Sequence, residues 1–296
     1  MRPFAVTLVA LAIIAAAAGA RAQSAPSPPQ ARDRLFDYAA ASTTCSRPAN
    51  GPGSAALTIG GPGTPPMNAL ILTPAGSLKK APAVLWVHWL GAVETTNHTE
   101  FESDALDLAK HGVVSMLVDM PWSQKDWFNT RTTNDDYAGT VAQVIALRRA
   151  LDCLGAIPGV DKSRIAYVGH DFGAMVGVLL LAVDNRPSYA VLMAPTLSFW
   201  EWYLLGKQPA DPAAYVAQMS VFDLPGWLAK GRQKATLLQV GQLDEYVSQA
   251  TGIAIRNAIP ARGRTLRAYK LDHALEDETT HEDRLTWLVT QLAASP

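Results

Sequence analysis

Cysteine is scarce in this sequence. Its 296 residues hold two, Cys45 and Cys153, which allows at most one internal disulfide; the residues leave open whether they pair or whether Cys153 is a buried thiol in a helical stretch. Charge is scarce too, at 17% of residues and a net −1. No basic patch or stripe stands out, so nucleic acid is not an expected partner. After the first eighteen residues no run is apolar enough to cross a bilayer. There is no internal repeat, no zinc spacing of the H-E-x-x-H kind and no glycine-rich phosphate loop after the first strands, so neither a metal nor a nucleotide cofactor is expected. With 49% hydrophobic residues the chain can bury a large core, and its length fits one α/β domain.

The N-terminus has its own logic. Arg2 opens a short positive region, an apolar run follows from Phe4 to about Ala18, and Ala20-Arg21-Ala22 is a small-x-small cleavage pattern. The run is short for a membrane span of ~20 residues, so residues 1–22 are expected to be a secretory signal peptide and the protein to be periplasmic or secreted. Removing Arg2 and Arg21 leaves 23 basic against 26 acidic residues, a mature charge of about −3, with no stable membrane association expected after cleavage. Residues 23–67 read as a leader and N-terminal edge, rich in Pro, Ser, Ala and Gln and then in Gly and Pro, with one short edge strand.

From residue 68 onward strands and helices alternate. Asn68–Leu72 is a short strand. Ala83–Val87 is a continuous apolar run of buried-strand length, Val113–Val118 is the next buried strand, and Ile165–Val168, Tyr189–Met193, Lys234–Val240 and Thr265–Leu271 are further strands. Helical spacing marks Glu100–His111, Tyr137–Leu154, Gly173–Leu181 and Glu282–Ala293. Alternation of this kind predicts an α/β fold with a mainly parallel sheet between helical layers, its ligand site outside the carboxyl ends of the strands. About forty residues between Met193 and Lys234 lack a strand but carry Phe199, Trp200, Trp202, Tyr203, Tyr215, Phe222 and Trp227. A structureless loop of that length is improbable in a compact domain, so residues 197–232 are expected to form a short helical cap over the site.

The chemistry gathers after three strands. Gly169-His170-Asp171-Phe172-Gly173 follows Ile165–Val168 and precedes a helix, the small-x-nucleophile-x-small turn in which a strained central residue is thrust toward substrate. Asp244 follows the strand ending at Val240, and His273 follows the strand ending at Leu271. The order nucleophile, acid, histidine makes His273 the general base and Asp244 the group that holds its tautomer. An anion site needs two backbone donors. Phe172 N–H is one; the loop after Ala83–Val87 offers Trp89 or Leu90, with Trp89 preferred. Substrate contacts are expected from Trp122, Trp200, Trp202, Tyr203 and Tyr215, with Asp119 and Trp122 at the rim. The tyrosines are candidate proton donors, and the indoles of Trp89, Trp200 and Trp202 candidate donors to a leaving group. His88 is expected to pack under the anion loop and His170 to support the turn.

The elbow, the V-D-K-S-R-I-A-Y-V-G-H run from Val160 to His170, the Asp244 loop and the D-H-A-L segment at Asp272–Leu275 resemble the dienelactone-hydrolase-related branch of the α/β-hydrolase superfamily over residues 68 to 293. The resemblance implies a three-layer α/β-hydrolase fold over residues 68–296 and hydrolysis of a small molecule without a cofactor. The departure is Asp171, where that branch carries serine or cysteine; the His-Asp pair in the elbow looks like epoxide hydrolases and haloalkane dehalogenases. A carboxylate attacking an ester carbonyl gives an anhydride, whereas attack on an sp3 carbon gives an alkyl-enzyme ester that water can hydrolyse. An epoxide or carbon–halogen bond in a small, largely apolar substrate is therefore the leading expectation. An ester or lactone hydrolase with Asp171 as base for direct water attack is the second, and a non-catalytic binding protein the third. Oligomeric state is not legible.

Overall fold

The computed structural model describes residues 34–46, 54–91 and 97–293; the expected signal peptide and most of the leader lie outside the described residues. Among the described residues nine strands form one sheet: β1 (Thr44–Ser46), β2 (Ser54–Gly61), β3 (Thr64–Leu72), β4 (Ala81–Val87), β5 (Val114–Val118), β6 (Val160–His170), β7 (Pro187–Met193), β8 (Ala235–Gly241) and β9 (Arg264–Tyr269). Their spatial order is β1-β2-β3-β5-β4-β6-β7-β8-β9. β1, β2, β3 and β5 pair antiparallel in succession, and every join from β5 onward is parallel.

The inner parallel strands are apolar on both faces because helices cover both, while β9 at the edge is partly exposed. In β4, Ala83, Leu85 and Val87 face one core while Val84 and Trp86 face the other. The first core takes α3 (Asp136–Gly155) and α4 (Phe172–Val183); the second takes α1 (Glu102–Lys110) and α9 (Glu278–Ala293). This is the expected three-layer arrangement. A one-turn helix, α2 (Trp127–Thr130), precedes α3. The segment expected to form a cap is helical: α5 (Phe199–Tyr203), α6 (Pro212–Met219) and α7 (Leu224–Leu228). Its Phe199, Met219, Phe222, Leu224 and Trp227 are all fully buried in the first core.

Two elements depart from the sequence reading. The sheet begins at Thr44, not near residue 68: β2 and β3 form a long hairpin, and the expected boundary at 67/68 falls inside β3. Glycine and proline hid that hairpin, since Gly60 and Gly61 end its first strand, Pro62 and Gly63 make its turn, and Pro65 and Pro66 lie at the start of its second strand. Secondly, α8 (Gln249–Ala258) follows the Asp244 loop. It buries only Gly252 and Ile255, too thin an apolar stripe to read from spacing.

The β1 edge is covalently fixed. Cys45 and Cys153 form a disulfide between β1 and α3, with Cα atoms 5.8 Å apart.

Candidate active site

β6 runs into α4 through a single residue, Asp171, at φ 51°, ψ −115°. Such a backbone is costly for any residue but glycine, and packing on both sides enforces it. A Cβ on Gly169 would lie 2.5 Å from the Gly173 carbonyl oxygen, and one on Gly173 would lie 2.2 Å from that of Val87. The elbow therefore needs glycine at both flanks, and the strained residue between them is pushed up from the carboxyl edge of the sheet. Asp171 is fully buried.

The three expected partners meet. His273 Nδ1 donates to Asp244 Oδ2 at 2.7 Å, and His273 Nε2 stands 3.7 Å from Asp171 Oδ1. Asp244 Oδ1 accepts the N–H groups of Tyr246 and Val247 at 2.8 and 2.9 Å. Burial would raise the Asp244 pKa, but the hydrogen bond from His273 and these amides outweigh it and hold the carboxyl below its ordinary value. Burial likewise works against a charge on His273, yet the hydrogen bonds and charges of Asp171 and Asp244 push its pKa up to about 9. Both acids therefore favour the protonated ring.

Of the two loop amides weighed for the anion site, the one that faces Asp171 is Leu90. Trp89 N–H, the preferred sequence candidate, is taken by Glu100 Oε2 at 2.7 Å, whereas Leu90 N–H donates to Asp171 Oδ2 at 3.1 Å. Phe172 N–H opens α4, where the helix dipole and unpaired amides favour anionic oxygen. His88 lies beneath this loop as expected. Met120 N–H donates to its Nε2 and its Nδ1 donates to the Trp89 carbonyl, each at 2.9 Å, and burial lowers its pKa to about 4.

The aromatic candidates separate into three groups. Trp202, on α5, is placed over the site, its ring 5.4 Å from His273 and 5.9 Å from Phe172. Trp200 is half-buried beside it, and the indole N–H of each is buried without a partner. Trp122 is not at the rim: it is fully buried against Phe172, and its indole donates to the His88 carbonyl at 3.2 Å. Asp119 is engaged by His98, at 2.7 Å from its Nδ1. Tyr203 and Tyr215 are not free proton donors. Tyr215 donates to Asp136 Oδ2 at 2.6 Å, and the Tyr203 hydroxyl is buried 3.3 Å from Thr140 Oγ1. Burial pushes the pKa of both upward. Arg131 holds the same cluster together, pairing with Asp136 at 2.5 Å and donating to the Tyr203 carbonyl.

Two contributors went unread in the sequence. Tyr246, two residues past Asp244, sets its exposed ring edge-on to His273 at 5.3 Å and against Trp202 at 5.2 Å; its spacing from Asp244 was the available signal. Glu100 was taken only as a helix start, yet it bonds both Trp89 N–H and His170 Nδ1.

No protein-family model matches this sequence, and no curated protein does. Solved structures do match. An acetyl xylan esterase from a Paenibacillus species superposes with a TM-score of 0.68 at 17% identity, over 88% of this chain and 91% of that one. Acetyl xylan esterase 1 from a Thermoanaerobacterium strain gives 0.67 at 17% identity, over 91% and 96%. A structure described as a dienelactone hydrolase from Klebsiella pneumoniae gives 0.57 at 16% identity, over 78% and 94%. The chain has the α/β-hydrolase fold.

Proposed function

We propose that this protein hydrolyses esters or lactones of small molecules by direct attack of water, with Asp171 as general base and His273 as general acid. One observation carries the reading. His273 Nε2 and Asp171 Oδ1 face each other 3.7 Å apart, both buried and both without another partner, with His273 held protonated at neutral pH. An imidazolium cannot begin a reaction as a base, but it is ready to give up a proton.

Water attacks the substrate carbonyl and Asp171 Oδ1 takes its proton. Negative charge develops on the carbonyl oxygen, toward Phe172 N–H and the N-terminus of α4. Leu90 N–H fixes Oδ2 and so aims Oδ1. His273 Nε2 then protonates the departing alkoxide as the carbon–oxygen bond breaks. Asp171 is left protonated and His273 neutral; transfer of the proton between them restores the resting pair. Asp244 keeps Nδ1–H pointed inward throughout.

This order of preference differs from the sequence expectation for two reasons. The cap tyrosines that would open an epoxide are bound elsewhere. The similar solved structures include proteins named as esterases and a dienelactone hydrolase. A carboxylate nucleophile acting on an sp3 carbon is the second reading. It is favoured by the Leu90 N–H bond to Oδ2, which would leave Oδ1 free to attack. Export remains part of the proposal, supported by the signal-like N-terminus and by the disulfide.

Turnover in H2-18O separates the readings. Acyl esters, lactones, epoxides and haloalkanes are supplied over many turnovers, and the Asp171 peptide is then weighed. Ester turnover with label in the product acid and none in Asp171 is the expected result. Label in Asp171 establishes the nucleophile mechanism, and no turnover of any class leaves a binding protein.

A further inference from the structure

The loop that carries His273 is strained and borders a cavity. Leu275 sits at φ 52°, a strained value for a side-chain-bearing residue, while its side chain is buried in the second core and its carbonyl accepts the Thr280 hydroxyl at 2.6 Å. A cavity of about 280 Å³ is lined by Ala274, Leu275 and Asp277 of this segment together with Glu100, Asp104 and Arg284.

One tether crosses from the elbow. His170 Nε2 lies 2.9 Å from the His273 carbonyl oxygen. A carbonyl only accepts, so Nε2 carries a hydrogen. The other ring nitrogen, Nδ1, is 2.7 Å from Glu100 Oε1, and one proton is shared in that contact. Glu100 Oε2 accepts Trp89 N–H at 2.7 Å, and the Trp89 indole stacks on the His170 ring at 5.1 Å and 4°. One carboxylate thus joins three segments: the loop whose Leu90 N–H fixes Asp171, the elbow itself, and the strained loop of His273.

Resting on the reading above, we propose that Glu100 is a positioning residue for the reaction, acting through His170 on His273 and through Trp89 on Leu90. Its carboxylate bonds Trp89 N–H and His170 rather than the reacting atoms of Asp171 or His273; its effect is to set the spacing between them. A glutamine of the same shape can meet the same needs, its oxygen accepting Trp89 N–H and its amide donating to Nδ1 of a neutral His170.

The test compares Glu100→Ala, Glu100→Gln and His170→Phe, the last keeping the stack on Trp89 without either hydrogen bond. Two measurements are made: NMR titration of the His273 ring, which needs no substrate, and kcat and KM on the ester that the wild type turns over best. Glu100→Ala and His170→Phe are expected to move the His273 midpoint down from about 9. Both are expected to lower kcat by roughly 10- to 100-fold with KM changed by less than about 3-fold, the scale of a misplaced catalytic group. Glu100→Gln is expected to recover at least about ten-fold of the alanine variant's loss and to restore the midpoint. An unchanged midpoint in folded Glu100→Ala or His170→Phe overturns the proposal, as does a Glu100→Gln variant no better than alanine. If the wild type hydrolyses no ester, the titration still decides the positioning role, so the two failures are distinguishable.

Discussion

Asp171 Oδ1 and His273 Nε2 face each other at 3.7 Å, and neither atom has another hydrogen-bond partner. Burying two such atoms is costly, and opposite charges on them offset part of that cost through their mutual attraction. The proton of the pair is the quantity to follow.

The pH dependence has a definite sign. In the folded protein His273 is raised from its ordinary 6.5 to about 9. Its stabilising contribution is fully present below about 6.5 and is lost as pH rises through 9. The melting temperature is expected to fall across that window, by more than in an Asp171→Asn variant. Reactivity should follow the same group: kcat/KM for an ester declines above about 9, where His273 has no proton to give. A rate that instead rises through that pH would assign His273 as a base in the free enzyme.

Asp171→Asn keeps the shape of the elbow and removes the base. It is expected to lower kcat by about 10²- to 10⁴-fold and to move the His273 titration downward, because the interaction with Asp171 is the largest effect that raises it. Steady-state kinetics and histidine NMR check the two effects separately. Unchanged kcat would remove Asp171 from the mechanism.

Asp171 and Asp244 were legible because each follows a buried run, the end of β6 and the whole of β8, and such runs are continuously apolar; His273 follows β9, a partly exposed edge strand, and was found by its place in the chain order. The anion loop was harder. Trp89 and Leu90 are neighbours, and which amide faces Asp171 depends on Glu100, eleven residues after Trp89, capturing the other. Trp122, Tyr203 and Tyr215 look alike in sequence as aromatics near the site. Their roles are fixed by partners far along the chain: His88 for the first, Thr140 and Asp136 for the others. The β2–β3 hairpin was obscured by prolines, which suit an edge of the sheet as well as a loop.

The cap is anchored by a buried charge cluster. Arg131 pairs with Asp136, and Tyr215 of α6 donates to the same carboxylate at 2.6 Å. Removing one member of a buried ion pair strands the other, so Arg131→Met is expected to cost about 3–5 kcal/mol. Tyr215→Phe loses a hydrogen bond to a charged group, about 1.5–3 kcal/mol. Because α5 also carries Trp202 against His273, both variants should raise KM. Urea melts with parallel kinetics check this; a stability loss without a KM change would separate the anchor from substrate binding.

The disulfide should matter for stability and not for chemistry. Cys45 and Cys153 are separated by 108 residues, so the bond closes a long loop in the unfolded chain and greatly restricts it. Loops of this size correspond to about 2–5 kcal/mol when a native disulfide is removed. β1 is a three-residue strand at the sheet edge, paired only with β2, and without the bond it has little else to hold it. The triad lies beyond β6, β8 and β9, separated from β1 by the intervening strands β2, β3, β5 and β4. A Cys45→Ala/Cys153→Ala variant is therefore expected to melt at a lower temperature, to lose the sensitivity of the wild type's melting to reductant, and to keep the wild-type kcat on its substrate. Thiol counting on the unfolded wild type, with and without reductant, checks that the bond is present. A large fall in kcat for the double variant at a temperature where it is folded would mean that the β1 edge reaches the site through α3, and the separation drawn here between the covalent edge and the catalytic edge of the sheet would fail.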